Sequence, residues 1–409
     1  MKTLSADQIS IKKLTLQYAV VQGGYWASFC ATYGFATVFL LSRGLSTSQI
    51  GVAIALANIF AVFLQPYFAT IADEGKKISL HTLTILLDLG ALITFLLLLF
   101  TTNFFLATFA LFVLTNALSQ TFQPLINAVG FYYINRGVTI NFGLPRSIGS
   151  LSYAIVSTII GYLVERYGSN VILLAGIIIL AIIAAMLHFM PRIEEVNEVA
   201  KNADAVAKDS TTGKESIFSF FLRYKMFSVA LLGSSCIFIF HFATNNYMLQ
   251  IVENIGGNAS TMGTALSIAA ACEIPAMMFS SQIMKKIRYN YLLIISGIFF
   301  CAKAVIYLLA TNIPMLYFSQ VLQMISYAFY IPASVYYVNE TMSEKDKVKG
   351  QAIMTGTTTL GGVIGSLLGG VTIDHFGLTT MLTGGLVFAV AGTILFFIGC
   401  TKPAKHADM

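Results

Sequence analysis

Residues 170–190 read NVILLAGIIILAIIAAMLHFM. The run holds no Asp, Glu, Lys or Arg. As a helix rising ~1.5 Å per residue, it covers ~30 Å of hydrocarbon. Directly after it comes 191–225, PRIEEVNEVAKNADAVAKDSTTGKESIFSFFLRYK, the longest polar stretch in the chain. Working outward from this junction, apolar runs of similar length recur at 14–41, 49–72, 80–101, 104–133 and 147–165 on one side. On the other side they recur at 226–252, 260–284, 291–310, 314–339, 351–373 and 379–400. With no water in the bilayer core, each run must satisfy its own backbone, so each is expected to be helical. The strands of a membrane β-barrel are ~10 residues long and alternate in polarity, unlike these runs.

Composition agrees. The 409 residues are 57% hydrophobic and 10% charged, with a mean hydropathy of +0.79. A soluble protein carries ~25% charge, so this chain could not coat soluble domains. The net charge of +6 does not point to nucleic acid, because of where the charges fall. Arg43 and Arg166 are the only basic residues in one set of loops, and Arg146 and Lys303 lie in or at the edge of spans. All other Lys and Arg fall in the opposite set: the two ends, 73–79, 134–145, 191–225, 285–290 and 341–350. That bias places both termini in the cytoplasm of a cell-membrane protein. Twelve crossings independently put both termini on one side. The first apolar run lacks the short core and cleavage site of a secretory signal and is read as retained. Cys30, Cys236, Cys272, Cys301 and Cys400 sit in apolar runs without metal or redox spacing. No P-loop, dinucleotide fingerprint, His-Glu-x-x-His or Gly-x-Ser-x-Gly motif is present, so neither an enzyme, a cofactor nor a metal site is expected. Without a nucleotide site, transport must draw on a gradient.

The polar stretch divides the chain into 1–190, a mobile linker 191–225 and 226–409. The tail of the linker, Ser216 to Tyr224, has the composition of an interfacial amphipathic helix. The two halves repeat. SQIGVAIALANIFAVFLQPYFATIADEGKK (48–77) matches STMGTALSIAAACEIPAMMFSSQIMKKIR (260–288), and GYLVERYG (161–168) matches GVTIDHFG (370–377). One offset relates both matches, at equivalent helix numbers. The expected fold is therefore an all-α membrane protein of twelve helices, arranged as two six-helix bundles related by a pseudo-two-fold. Such repeats hold substrate at their interface.

Twelve helices, a six-plus-six repeat and a long central loop resemble the major facilitator superfamily. ATIADEGKK (69–77) is similar to that superfamily's loop after the second helix, with Asp73, Gly75 and Lys77 matching its gating positions and Ala69 replacing a Gly. Within the superfamily the chain resembles, nearly end to end, the lactose permease (oligosaccharide:proton symporter) branch. FGLPRSIGSLSY (142–153) is similar to that branch's fifth helix, which implies that Arg146 grips substrate hydroxyls and Tyr153 stacks on a sugar ring. Glu273 falls on the branch's essential acid, and Lys303 falls where its ninth helix has an Arg. The resemblance has departures. Asn127 or Ala128 stands where an acid would be. Gln320, Gln323 and Ser326 stand for Lys, His and Glu. Ile239, Phe242 and Thr358 replace the charged residues of two Asp–Lys pairs. Losing both members of a buried pair is coherent, since a lone buried charge is costly.

Energetics selects candidates without the family. A charge at the bilayer centre costs at least ~2.5–3.5 kcal/mol, so intramembrane ionisable groups mark a cavity or a pair. Asp88, Glu273 and Lys303 lie inside spans, with Arg146 and His241 close behind. Glu273 lies twelve residues before Lys285 and Lys303 twelve after Tyr291. Both are therefore about 18 Å from the same face, on consecutive helices. The pair either locks two helices or is loosened by protonation or substrate. Pro275 frees a carbonyl one turn before it, near the same depth. Asp88 and His241 are further proton-coupling candidates, each with a structural reading as a paired or satisfied group. Asn116, Gln120, Gln123 and Asn127 follow helical spacing and predict a polar stripe on a cavity wall. Gln22, Tyr25 and Trp26 predict another, and Asn245 and Asn246 join His241. The substrate-binding set is Arg146, Tyr153, Asn127, Gln323, Gln120, Trp26 and Asn245.

These residues predict a proton-coupled transporter of a small polar solute, a sugar or oligosaccharide, working by alternating access. Its partners would be substrate, protons and membrane lipid, with no nucleic acid, and the protein is expected to be a monomer. The 32 Phe and 15 Met also allow efflux of amphiphiles, and stacking with hydroxyl donors allows a nucleoside:proton symporter. A channel or passive receptor is the reading from another class.

Overall fold

Each apolar run forms helix, because only internal hydrogen bonds can satisfy its backbone in lipid. The structure, a computed structural model, describes residues 3–4, 10–74, 78–101, 104–138, 143–193 and 217–401. The helices are α1 (Ile11–Phe29), α2 (Ala36–Ser42), α3 (Thr47–Glu74), α4 (Leu80–Leu98), α5 (Phe105–Ile134), α6 (Gly143–Tyr167) and α7 (Asn170–Phe189). After the linker come α8 (Ile217–Arg223), α9 (Lys225–Asn246), α10 (Met248–Asn254), α11 (Ala259–Met278) and α12 (Ser280–Lys286). The chain then forms α13 (Tyr289–Leu309), α14 (Ile313–Val321), α15 (Gln323–Thr341), α16 (Lys347–Phe376) and α17 (Leu378–Thr401). Among the described residues, eleven stretches are long and apolar enough to cross a membrane, and α1 with α2, bent by 44°, supplies a twelfth span. Their outward faces are apolar and exposed, as at Phe63, Leu86, Ile93, Ile178 and Ile398, which suits lipid.

Four spans are less continuous than the sequence suggested. The first is interrupted by a π turn at Cys30–Gly34, where Phe35 N–H bonds to the Cys30 carbonyl. The seventh breaks at Tyr247, the eighth at Phe279 and the tenth at Leu322. The eighth breaks four residues after Pro275, whose ring leaves a backbone acceptor without its donor. α8 forms within the stretch read as interfacial. Its Phe220 is buried under the Lys349 ammonium, 4.3 Å from the ring centroid, and Arg223 pairs with Asp346 at 3.2 Å. The body of the linker, 194–216, lies outside the described residues. Thr3–Leu4 pairs with Arg192–Ile193 as a two-residue parallel ladder.

The helix contacts show the repeat. In the first bundle the first span packs on the fifth and sixth, the third on the fourth and sixth, and the second on the fourth. Adding six to each number gives the contacts of the second bundle: seventh on eleventh and twelfth, ninth on tenth and twelfth, eighth on tenth. Pro66 and Pro275 sit at matching places in the second and eighth spans, and Pro124 and Pro332 in the fourth and tenth.

The two largest contacts between the bundles are α3 on α16 and α6 on α11, and the same rule exchanges them. Both are made at the helix ends away from the termini, where glycines allow backbones to touch. A Cβ on Gly161 would come within 2.7 Å of the Ala259 carbonyl and 3.1 Å of the Gly263 Cα. Gly51 lies against the Ser366 carbonyl in the related crossing, and Gly370 against Thr47. These glycines open the matched segments 48–77, 260–288, 161–168 and 370–377. The internal repeat visible in sequence is thus the repeat that closes one face. Side-chain hydrogen bonds between the bundles lie toward that face: Thr37 to the Asn246 carbonyl, Thr47 and Ser48 to Asp374, Thr47 to Gly370, and Tyr247 to Thr47.

Candidate functional site

A cavity of about 270 Å³ lies between the bundles, below the closed crossings. The first, second, fourth and fifth spans line it from one bundle, and the seventh, eighth and tenth from the other. Two kinds of side chain dominate the lining. Rings form a row along the first span. Trp26 meets Phe29 edge-on at 5.7 Å, Phe29 stacks on Tyr33 at 5.0 Å and 8°, and Tyr33 meets Phe242 of the other bundle at 6.4 Å. Amides form a second group, Gln65, Gln120, Gln123, Asn245, Asn246 and Gln323, with Ser150, Leu266, Ala269, Ala270 and Glu273 between them. Rings provide flat apolar area and amides provide paired donors and acceptors, a combination suited to a polyhydroxylated ring.

The π turn shapes this wall. It shifts the first span by one residue and places Gly34 against Tyr153, whose hydroxyl would lie 2.7 Å from a Cβ there. Such bulges often occur at functional sites. Asn116 serves the turn, its Nδ2 reaching the Thr32 carbonyl at 3.4 Å, and is not among the cavity residues. The stripe on α5 is therefore split: Gln120 and Gln123 face the cavity. Asn127 does not line it. Its Oδ1 accepts from Gln22 Nε2 at 3.0 Å, and the same nitrogen lies 2.8 Å from the Tyr18 hydroxyl, so Asn127 ties α5 to α1. Gln120 donates to Asn58 Oδ1 at 2.9 Å, and Gln65 donates to the Gln120 carbonyl at 3.1 Å.

Glu273 lines the cavity, while Lys303 lies behind it, 1% exposed. Gln323 connects them. Lys303 Nζ donates to Gln323 Oε1 at 2.6 Å, and Gln323 Nε2 donates to Glu273 Oε1 at 3.1 Å. An ammonium only donates and an ionised carboxylate only accepts, so the amide can bridge them in one orientation only. The level placement expected from residue counts holds, but the tenth span supplies a bridge that spacing within the eighth and ninth could not reveal. Lys303 also lies 5.6 Å from the Tyr307 ring centroid. His241 lines the cavity, stacks on Tyr327 at 5.1 Å and 16°, and is 3.1 Å from Asn245 Nδ2.

Asp88 is elsewhere. It is fully buried in α4, outside the cavity lining, and neither carboxyl oxygen has a hydrogen-bond partner among the described residues. A pairing role is thus not met there, and a direct place at the cavity is not either. Arg146 falls in the first turn of α6, and its side chain lies outside the described residues. Gly75 and Lys77 lie outside them too, as does the Asp73 side chain at the end of α3. Asn58, Gln65, Tyr33, Phe242 and Tyr327 were missed as candidates. Asn58 and Gln65, seven residues apart on α3, carried the two-turn spacing that could have found them.

Residues 17–383 match the family described as MFS_1 like family. The chain belongs to that family. It is a major facilitator superfamily transporter, not an enzyme. Among curated proteins, maltose permease of Geobacillus stearothermophilus is 23% identical over 381 residues, covering 91% of this chain and 88% of the relative. The uncharacterized transporter YwbF of Bacillus subtilis (strain 168) is 23% identical over 332 residues, covering 79% of this chain and 78% of the relative. Among solved structures, the nucleoside transporter NupG aligns at TM-score 0.77 and 16% identity, covering 96% of this chain and 98% of that one. A D-xylose-proton symporter aligns at TM-score 0.68 and 11% identity, covering 97% and 98%. At these identities the structures bear on fold alone, and they agree with the helical architecture described above.

Proposed function

We propose that this transporter is a proton-coupled symporter of a small polar solute, a sugar or oligosaccharide, working by alternating access in the cell membrane with both termini in the cytoplasm. The observation that carries the reading is one carboxylate, Glu273, standing in a cavity lined largely by rings and amides. A proton on Glu273 would neutralise the carboxylate and remove its demand for the Gln323 N–H. Glu273 is then the proton carrier, Gln323 the reporter of its state and Lys303 the charge that favours its ionised form. Trp26, Gln120, Asn245 and Tyr153 bind substrate, with Arg146 at the entrance of the fifth span. The 23% identity to a maltose permease across most of the chain supports a sugar.

Purified protein in proteoliposomes under an imposed inward proton gradient tests this with labelled maltose, xylose and uridine. Gradient-driven accumulation of a sugar, abolished by a protonophore, is the expected result. Uridine uptake with neither sugar taken up would assign a nucleoside substrate instead. Gradient-independent accumulation would overturn proton coupling.

A further inference from the structure

The two crossings that close the face away from the termini are equivalent by the repeat, but among the described residues only one of them has a carboxylate hydrogen-bonded across it. Asp374, in the last turn of α16, reaches from the second bundle to the start of α3 in the first. Its Oδ2 accepts from the Ser48 backbone N–H at 2.7 Å, its Oδ1 accepts from the Thr47 backbone N–H at 3.2 Å, and the Thr47 hydroxyl bonds to the same oxygen. The first N–H groups of a helix have no partner within it. At α3 they are fully accounted for. Ser46 and Gln49 cap each other, through Gln49 N–H to Ser46 Oγ at 3.3 Å and Ser46 N–H to Gln49 Oε1 at 2.9 Å. Asp374 takes the two N–H groups that remain. Its charge also sits at the positive end of a helix of 28 residues.

The equivalent place in the other crossing is Glu165, in the last turn of α6. Among the described residues Glu165 makes no hydrogen bond there and is exposed. α11 is capped from within its own chain segment, by Asn258 Oδ1 on Thr261 N–H at 3.0 Å. That crossing has close backbone packing at Gly161 and Gly263.

We propose that Asp374 is a positioning residue for the transport cycle: a one-sided latch that caps the second span from the opposite bundle and biases the transporter toward the conformation closed away from the termini. The proposal rests on alternating access, since only a cycle that separates α3 from α16 would break the cap. It does not depend on the substrate or on proton coupling. Separation would leave the Thr47 and Ser48 N–H groups to water and free the Asp374 carboxylate at the same moment. The opposite crossing loses no such partner when it opens.

The test needs no substrate, so its failure is distinguishable from failure of the sugar and proton reading. Spin labels are placed at Tyr167 and Thr379, exposed positions of the two bundles on the closed face, with the five native cysteines replaced by alanine. Distances are read by double electron–electron resonance in Asp374→Ala, Asp374→Asn and Glu165→Ala backgrounds. Loss of a helix cap of this kind predicts about a fivefold rise in the ratio of long to short distances for Asp374→Ala. Asp374→Asn keeps the shape without the charge and is expected to shift the ratio the same way by less, which also covers poor folding of the alanine variant. Glu165→Ala is expected to change nothing. Unchanged distances in both Asp374 variants, or an equal shift in Glu165→Ala, would overturn the latch.

Discussion

Lys303 is tightly constrained by its surroundings. An ammonium buried to 1% exposure needs acceptors, and Gln323 Oε1 is 2.6 Å away. Replacing Gln323 with Leu removes that acceptor and a donor to Glu273 together. Hydrogen bonds to charged groups are worth about 1.5–3 kcal/mol, so the variant is expected to lose stability of that order. Thermal melting in detergent checks it, with Lys303→Met in the same background expected to recover part of the loss because the stranded charge is gone. Glu273→Gln carries a sharper functional expectation. It keeps the side chain's shape but cannot change protonation, so it should abolish gradient-driven accumulation while leaving counterflow of a bound solute intact. Retention of full accumulation in Glu273→Gln would remove Glu273 from the coupling role. The types of these residues were legible in sequence, since an acid and a base at equal depth in adjacent spans are expensive unless they meet something. What they meet was not legible, because the bridging amide comes from a third span. Asn127 shows the reverse case. It sits on the same stripe as Gln120, yet a hydrogen bond from Gln22 turns it to helix contact instead of the cavity wall.

At the scale of elements, the breaks in the helices matter more than their lengths. The π turn in the first span, the break after Pro275 in the eighth and the break at Leu322 in the tenth all belong to spans that line the cavity. A uniform apolar run hides such breaks, because hydropathy records burial in lipid and not the register of the backbone. The glycine crossings give a matched pair of expectations. Gly161→Ala would drive a methyl into the Ala259 carbonyl and must separate α6 from α11. Gly356 has nothing within 4 Å of a Cβ, so Gly356→Ala should be neutral or stabilising by about 0.5–1 kcal/mol through helix propensity. Melting temperatures of the two variants, measured side by side, should move in opposite directions or diverge by several degrees. Equal melting would mean that the crossing is looser than its backbone contacts imply.

At the scale of the molecule, two bundles meet through two related crossings at one face, and the cavity lies below them. Basic residues crowd the loops on the termini side, while the opposite loops hold Arg43 and Arg166. On the proposed orientation, with the basic loops inside, the closed face looks outward. A C-terminal green fluorescent protein fusion should therefore fluoresce, and a C-terminal alkaline phosphatase fusion should be inactive. The opposite pattern would invert the orientation and, with it, the direction in which the cavity is closed.

Sequence alone determined that this chain lives in lipid, crosses twelve times and repeats once, because backbone satisfaction in hydrocarbon leaves helices as the one solution for long uncharged runs. It also selected Glu273 and Lys303, since intramembrane charge is too costly to be incidental. Tertiary structure decided what faces what: which amides turn to the cavity, that Gln323 stands between acid and base, that Asp88 lies apart, and that Asp374 caps a helix more than 300 residues away in the chain. Those outcomes depend on rotations of helices about their own axes and on contacts between distant segments, and neither leaves a periodic trace along one strand of sequence.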